Sequence, residues 1–173
     1  RRNNMNMTLL KIVKNRKQGF GLVEVLVAVA IIAITSVSIF NVYTAYLRAE
    51  LNNVKAVKAA FLMEEGLEVV RLLRDTSWTS YIAPVTASTT QYLNWTGSAW
   101  QFTTTPQMID VRYARTVVFT TVYRDSNNRI AATGTLDPNT RGFTVAVAWP
   151  DDNTALYTTM KQISSYITNL YGN

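Results

Sequence analysis

One carboxylate stands out because of where it lies. Glu24 is the only charged residue in an apolar run that covers residues 20–43. A charge inside lipid costs roughly 2.5–3.5 kcal/mol on insertion scales, so such a residue is a functional-site hypothesis by default. Glu24 could form an ion pair or a hydrogen bond with a partner group. The residue also follows Gly19, the last residue of a basic segment, by five positions.

Few other residues could do chemistry. The chain has no cysteine and no histidine, which removes disulfides, thiolate nucleophiles and the commonest general base. Ser164, Ser165 and Lys161 do not form a convincing nucleophile site. An enzyme that uses carboxylates or a Ser–Lys pair remains possible, but the commonest catalytic groups are missing. Our prediction for the whole chain is a protein that is not an enzyme, with no metal site and no cofactor.

Two further patterns have both a functional and a structural interpretation. Asp151, Asp152 and Asn153, and separately Asp125 with Asn127 and Asn128, could bind calcium, but neither group has the ligand spacing of an established loop. We interpret both as turns. The four tryptophans could form a sugar- or surface-binding platform, but we predict that they pack in the core; they are Trp78, Trp95, Trp100 and Trp149.

The net charge of +6 comes from the N-terminal segment alone. Residues 1–19 contain six basic residues and no acid, namely Arg1, Arg2, Lys11, Lys14, Arg16 and Lys17. Removing these six from the 17 basic residues leaves 11, which equals the 11 acidic residues. A neutral body does not predict nucleic-acid binding. A basic segment beside an apolar span predicts the cytoplasmic side of a membrane.

The sequence divides into four predicted regions. They are a basic leader at 1–19, an apolar segment at 20–43, an amphipathic segment at 44–77 and a head at 78–173. At a rise of ~1.5 Å per residue, about 20 residues span a hydrocarbon core of ~30 Å, so the apolar segment is long enough to cross a membrane. No proline occurs before Pro84, so the two middle segments are predicted to form one continuous helix.

The amphipathic segment keeps a helical period. Its apolar residues recur at spacings of three and four, which predicts one buried face; they are Ala59, Leu62, Met63, Gly66, Leu67, Val70 and Leu73. On the surface, Glu68 can pair with Arg71, and Arg71 with Asp75. A glycine costs about 1 kcal/mol relative to alanine inside a helix, so we interpret Gly66 as a place where another element approaches closely.

The head is rich in threonine and aromatic residues, which favours strands. QYLNWTGSAWQF predicts a hairpin that turns at residues 96–98, and RYARTVVFTTVYRD predicts a long strand followed by a turn at 126–128. In GFTVAVAWP the bulky residues alternate with small ones, so Phe143, Val145, Val147 and Trp149 are predicted to face the core. Pro150 should end that strand. The tail fits a helix or a strand, and its threonine and tyrosine content favours a strand.

A basic segment followed by an apolar run has three interpretations. A secretory signal peptide cut after Ala28, Val29 and Ala30 fits formally, but the apolar region before the cut would be short and would contain Glu24. A simple anchor needs no Gly–Phe junction and no acid. A subunit that is held in the membrane and then packs against copies of itself gives the carboxylate a partner in a neighbouring copy.

The stretch KQGFGLVEVLVAV resembles the prepilin cleavage and methylation motif of type IV pilins and of the pseudopilins of type II secretion. The family pattern is a basic leader that ends in Gly, then Phe, then Glu as the fifth residue of an apolar helix. Lys17, Gly19, Phe20, Leu22 and Glu24 all fit this pattern. The resemblance implies that a prepilin peptidase cuts between Gly19 and Phe20 and methylates the new amine of Phe20. It also implies polymerisation through the helix, with Glu24 as the assembly residue.

These observations lead to one expectation for the whole protein. The expected fold is α+β and pilin-like: a long N-terminal helix, membrane-spanning in its first half, packed on a small antiparallel β-sheet head. The expected function is that of a structural subunit of a type IV pilus or related filament. The alternatives are a pseudopilin of a type II secretion system, or a single-pass membrane protein that does not assemble and has an extracytoplasmic binding head.

The expected partners follow from the same resemblance. They are further copies of the chain, the prepilin peptidase, the pilus assembly machinery and membrane lipid, with no nucleic acid. The precursor is expected in the cytoplasmic membrane, with its leader inside and its head outside. After assembly the subunit is expected in a filament at the cell surface.

Overall fold

The computed structural model describes residues 21–150, 157, 159–170 and 172. The leader, the junction between Gly19 and Phe20, and residues 151–153 lie outside the described residues. A 55-residue helix, α1 (Leu22–Thr76), is followed by a π-helical turn (Trp78–Ile82). The strands are β1 (Thr90–Trp95), β2 (Trp100–Thr103), β3 (Met108–Ile109), β4 (Tyr113–Arg124), β5 (Ile130–Ala131), β6 (Thr135–Trp149) and β7 (Thr159–Thr168).

Helix α1 runs without interruption from the apolar segment into the amphipathic one. It ends at Thr76 because Ser77 adopts an extended backbone, with φ −169° and ψ 115°. Ser77 Oγ accepts a hydrogen bond from the Ser80 amide at 3.2 Å, which caps the π-helical turn. The chain forms two compact units that divide in the sequence between Arg48 and Ala49. The boundaries of the four regions stay predictions.

The strands form one antiparallel sheet in the order β2-β1-β4-β6-β7, and the short strands β3 and β5 also pair with β4. Strands β4 and β6 form its centre and pair along their lengths, with a register shift between Thr121 and Val122. The predicted hairpin is confirmed, because Trp95 pairs with Trp100 across a loop that has Gly97 at φ +97°. The ambiguous tail forms strand β7, which pairs with β6.

The alternation predicted in β6 is confirmed. Phe143, Val145, Val147 and Trp149 are buried, the small residues between them are half-buried, and the strand ends before Pro150. The predicted helix face is also buried, except that Met63 is only partly buried. Helix and sheet residues share a main core cluster and a second, smaller one, so the amphipathic half of α1 packs on the sheet. This is the expected α+β, pilin-like architecture.

Gly66 lies at a close approach between the helix and the sheet. A Cβ atom at this position would lie 2.7 Å from Val145 Cγ1 and 3.2 Å from Arg115 Cδ. Real Cβ atoms essentially never show the first distance. The interpretation of Gly66 as a point of close approach is therefore confirmed, because only a residue without a side chain lets the helix pack this closely on β4 and β6.

Two details near the end of α1 differ from the expectations. The head begins with a π-helical turn that the sequence did not predict, in which the Ala83 amide bonds to the Trp78 carbonyl at 2.9 Å. Asp75 pairs with the adjacent Arg74 at 2.8 Å rather than with the residue one turn earlier. The predicted pair of Glu68 and Arg71 is confirmed.

The tryptophans do not all pack in the core as predicted. Trp78 and Trp149 are buried, whereas Trp95 is 51% exposed. Trp100 is partly buried and packs against the core cluster. The core interpretation is therefore wrong for Trp95, which lies at the end of strand β1 beside the hairpin loop.

Candidate functional site in the N-terminal helix

Glu24 lies in the first turn of helix α1. Its amide bonds to the Gly21 carbonyl at 3.0 Å, and the amide of Val25 bonds to the same carbonyl at 3.2 Å. The first amides of a helix carry partial positive charge, which makes this end favourable for a carboxylate. The side chain is exposed, and no residue within the described part of the chain pairs with it.

The segment that follows Glu24 presents apolar side chains in all directions. Every residue at positions 21–43 is exposed in the single chain, including Phe40 at 67%. The described residues contain one helix that is long and apolar enough to cross a membrane, α1, and none of its apolar window is buried. Side chains of this kind require lipid or another apolar surface.

The hydroxyl groups of this segment bond to the helix itself. Thr35 Oγ1 donates to the Ile31 carbonyl at 2.9 Å, and Ser38 Oγ donates to the Ile34 carbonyl at 3.0 Å. Because these hydroxyls are hydrogen-bonded within the helix, placing them in an apolar environment costs little free energy. Glu24 differs because an ionised carboxylate only accepts hydrogen bonds, and helix carbonyls cannot serve as its donors.

Of the predicted site residues, only Glu24 is described. Gly19 and Phe20, the predicted cleavage and methylation residues, lie outside the described residues, shortly before the helix begins at Leu22. In the sequence, Glu24 follows Phe20 by four positions, which is about one turn of an α-helix. Cleavage after Gly19 would make Glu24 the fifth residue of the mature chain.

The turn predicted at residues 126–128 is confirmed, and its acid is used within the turn. Asp125 Oδ1 accepts hydrogen bonds from the amides of Asn127 at 2.8 Å and Arg129 at 2.9 Å. This is the local bonding of an Asx turn. No group of three potential acidic ligands comes together among the described residues, and the acids at 151 and 152 lie outside them.

Two features of the head were not predicted. Arg115 lies on the buried face of β4 with 4% of its side chain exposed, and it pairs with Glu65 at 2.8 Å. Trp95, Trp100 and Tyr81 line a cavity at the end of the first hairpin. The signal for Arg115 is its place in RYARTVVF, where alternation puts it on the apolar side of the strand. The signal for Trp95 is the adjacent Thr-Gly-Ser loop.

Comparison with known protein families matches residues 14–40 to the prokaryotic N-terminal methylation motif. The match covers the basic end of the leader, the Gly19–Phe20 junction and the apolar start of α1, and it confirms the resemblance predicted for this segment. No curated protein and no solved structure matches the chain. The motif and the exposed apolar helix together indicate anchoring in a membrane.

Proposed function

We propose that the protein is a structural subunit of a type IV pilus or a related filament. The proposal rests on the coincidence of two features in one segment. These are the methylation motif at residues 14–40 and a membrane-length helix whose apolar residues are exposed in the single chain. A permanent anchor requires only the second feature. The motif supports a second step, in which the same apolar side chains leave the lipid and become buried inside a bundle of helices.

Processing precedes assembly in this proposal. The basic leader stays on the cytoplasmic side, the helix crosses the membrane, and the head lies outside. A prepilin peptidase cuts between Gly19 and Phe20 and methylates the amine of Phe20. The processed subunits then leave the lipid and polymerise at the cell surface, with the pilus assembly machinery as partner. The role is structural and not enzymatic.

Glu24 is the proposed assembly residue. Cleavage creates a cation at the Phe20 amine, about one helical turn before Glu24 in the same chain. That pair has poor geometry within one chain. A neighbouring subunit displaced along the axis by a similar distance would place its own amine beside Glu24. In the dry interior of a helix bundle, such a pair would set the register between subunits.

The pseudopilin and the anchored binding protein are the alternatives. Pseudopilins share the cleavage and methylation motif, so a secretion pseudopilus would use Glu24 and the helix in the same way. A single-pass membrane protein that does not assemble needs neither cleavage after Gly19 nor a partner for Glu24. The mature N-terminus therefore separates this last protein from the two assembling subunits.

The experiment combines mass spectrometry of the mature N-terminal peptide with filament yield. Native cells carry the wild-type chain, Glu24→Val or Ser38→Val. We expect all three mature chains to begin at Phe20 with a methylated amine, because valine suits the apolar segment. Glu24→Val should abolish or severely reduce surface filaments while processed subunit accumulates in the membrane. The reason is that removing one member of a buried pair costs about 3–5 kcal/mol.

Ser38→Val is the matched control. The Ser38 hydroxyl bonds to its own helix, so filament yield should stay near that of the wild type. A mature chain that begins at Ile31, or one that retains Lys17, would contradict prepilin processing. Normal filaments from Glu24→Val would show that the carboxylate is tolerated at the membrane edge and is not an assembly residue.

A further inference from the structure

The head carries a cavity that the proposed structural role does not use. It has a volume of about 260 Å³ and lies between the end of α1 and the β1–β2 hairpin, where Trp95, Trp100, Tyr81 and Leu72 line it. Trp95 and Leu72 are both about half exposed. Large apolar side chains left open to water around a concave surface are typical of a binding site.

The hairpin holds the two indoles in a fixed relation. Trp95 and Trp100 are partners across the antiparallel strands, with ring centroids 5.5 Å apart and planes inclined at 54°. Thr96 closes the loop, because its amide and its hydroxyl each donate to the Ala99 carbonyl at 3.0 Å. Its hydroxyl also accepts from the Ala99 amide at 3.2 Å. A preorganised aromatic pair loses little conformational entropy when a ligand binds.

A buried cation fixes Trp100 to the helix. The guanidinium carbon of Arg115 lies 5.6 Å from the centroid of the Trp100 ring, a cation–π contact. The same guanidinium bonds to Glu65 at 2.8 Å and to the Leu62 carbonyl at 3.1 Å. Burying an arginine is costly unless it is paired, and these contacts explain its place in the core. Trp100 is thereby anchored on α1 while it also lines the cavity.

A second cavity, of about 410 Å³, shares Tyr81 with the first. Its lining includes Ser80, Gln91 and Gln101, and the side-chain amide of Gln91 already donates to the Thr89 hydroxyl at 3.1 Å. Among the residues that the structure places around the two cavities, none is Asp, Glu, Lys or Arg. The two cavities together therefore combine aromatic walls with neutral hydrogen-bonding groups.

We propose that these two cavities bind a neutral saccharide, with one sugar ring against Trp95 and Trp100 and a second ring beside the glutamines. A pyranose has an apolar face of C–H groups that packs on an aromatic ring, and a rim of hydroxyls that requires donors and acceptors. The first cavity lies just below the range of about 300–1,000 Å³ that holds drug-sized ligands, so it suits a single ring. Uncharged walls favour an uncharged sugar over an acidic one.

An apolar side chain from a second copy of the chain is the competing occupant. It would fill the first cavity, but it would leave the Gln101 amide in the second cavity without a ligand. A saccharide uses the aromatic walls and the polar groups together, and for this reason we favour it.

The test uses the full chain in dodecylphosphocholine micelles, because this detergent has no sugar headgroup. Tryptophan fluorescence and saturation-transfer NMR follow titrations with maltose, cellobiose, lactose and chitobiose, and with the methyl glycosides of their monosaccharides. We expect at least one disaccharide to bind saturably with a Kd of about 1 mM or lower, and its methyl glycoside to bind about tenfold more weakly.

Three variants locate the binding. Trp95→Ala should weaken disaccharide binding at least about tenfold, the usual effect of truncating a central aromatic residue. Gln101→Ala should weaken binding of the disaccharide but not of the methyl glycoside. Tyr166→Ala is the matched control, because Tyr166 is a similarly exposed aromatic residue on β7 outside both cavities; it should bind as the wild type does. Near-UV circular dichroism confirms that each variant is folded.

Two results would overturn the proposal. One is the absence of saturable binding across the whole panel, and the other is binding that Trp95→Ala leaves unchanged. If Trp95→Ala lowers filament yield and no sugar binds, the cavity is a contact between copies and the saccharide proposal is wrong. Because the readout is binding to the single subunit, its outcome does not depend on filament assembly.

Discussion

The two halves of helix α1 have the same secondary structure and differ in what covers their apolar side chains. Residues 21–43 are all exposed, whereas Val70 and Leu73, in the other half, are 0% and 3% exposed against the sheet. The helix satisfies the backbone in both halves. Burial of the side chains comes from the fold in one half and must come from outside the chain in the other.

Charged groups show the same difference. In the head, Glu65 pairs with Arg115 at 2.8 Å and Asp137 pairs with Arg124 at 2.6 Å. Glu24 has no such partner within the described part of the chain. A paired carboxylate supports the fold that holds it, whereas an unpaired one in an apolar segment is open to a partner from another molecule. The proposed role of Glu24 follows from this difference.

The largest effect is expected when the two halves are separated. A chain that begins at Ala45 keeps the whole compact unit from Ala49 onward and should be soluble, with cooperative thermal unfolding. A chain that begins at Trp78 lacks the helix residues of the core cluster, such as Val70 and Leu73. It should be molten or aggregate, because the apolar face of the sheet would be uncovered.

Near-UV circular dichroism is the measurement for these truncations. The four tryptophans lie between positions 78 and 149, so both chains carry them. Equally cooperative unfolding of the two chains would show that the sheet does not need the helix. Insolubility of the chain that begins at Ala45 would show that the second half also requires lipid, and the contrast between the halves would fail.

A smaller effect is expected when one substitution is made in each half. Leu73 is buried in the core and Leu26 is exposed. Leu73→Ala should lower the free energy of unfolding of the head by about 2–5 kcal/mol, the usual cost of a large-to-small change in a core. Leu26→Ala should leave it unchanged, because Leu26 belongs to neither core cluster. Thermal unfolding of the full chain in micelles, followed by tryptophan signals, compares the two. Equal losses would contradict the assignment of Leu26 to an environment outside the fold.

Local periodicity explains why much of the fold could be predicted. The apolar face of the helix and the bulky face of β6 repeat at the periods of their own elements, so each is visible without knowledge of its partner. Gly66 was predicted for a related reason, since an unfavourable residue in a good helix indicates a contact. Glu24 was chosen as a candidate site residue because a single charge in an apolar run has no local explanation, and its role in assembly stays a prediction.

The features that were missed depend on contacts between distant parts of the chain. Arg115 occupies a core position because Glu65 and the Leu62 carbonyl, both on α1, reach it. Alternation along β1 puts Trp95 on the same face as Leu93, which is buried. Trp95 is nevertheless exposed, because it is the last residue of the strand and lies beside the loop. Alternation indicates the side of β4 on which Arg115 lies, but no pattern within either strand shows its partners on α1 or the exposure of Trp95.

The smallest effect concerns the internal charge pairs of the head. A hydrogen bond from the Thr140 hydroxyl, followed by one from the Arg124 guanidinium, lowers the pKa of Asp137 below its ordinary value of 3.8. A carboxyl group whose pKa is lowered in the folded state stabilises the fold above its ordinary pKa. That stability is lost as the pH falls through the lowered pKa, when the group becomes protonated.

Asp137→Asn should therefore destabilise the head near pH 7 by less than about 1 kcal/mol, because solvent screens the pair in part. This corresponds to a few degrees in Tm. Between pH 7 and pH 2 this difference in Tm should narrow, because the stability contributed by the charged carboxyl is lost as the pH falls from 3.8 through the lowered pKa. Glu68→Gln is the control, since this carboxylate is 69% exposed and its loss should change Tm less at both pH values. An equal Tm difference at both pH values would show that asparagine fails through geometry and not charge. Asp137 would then give no evidence that carboxylates in the head stabilise the fold through their charge, which is the property that distinguishes them from Glu24 in our comparison.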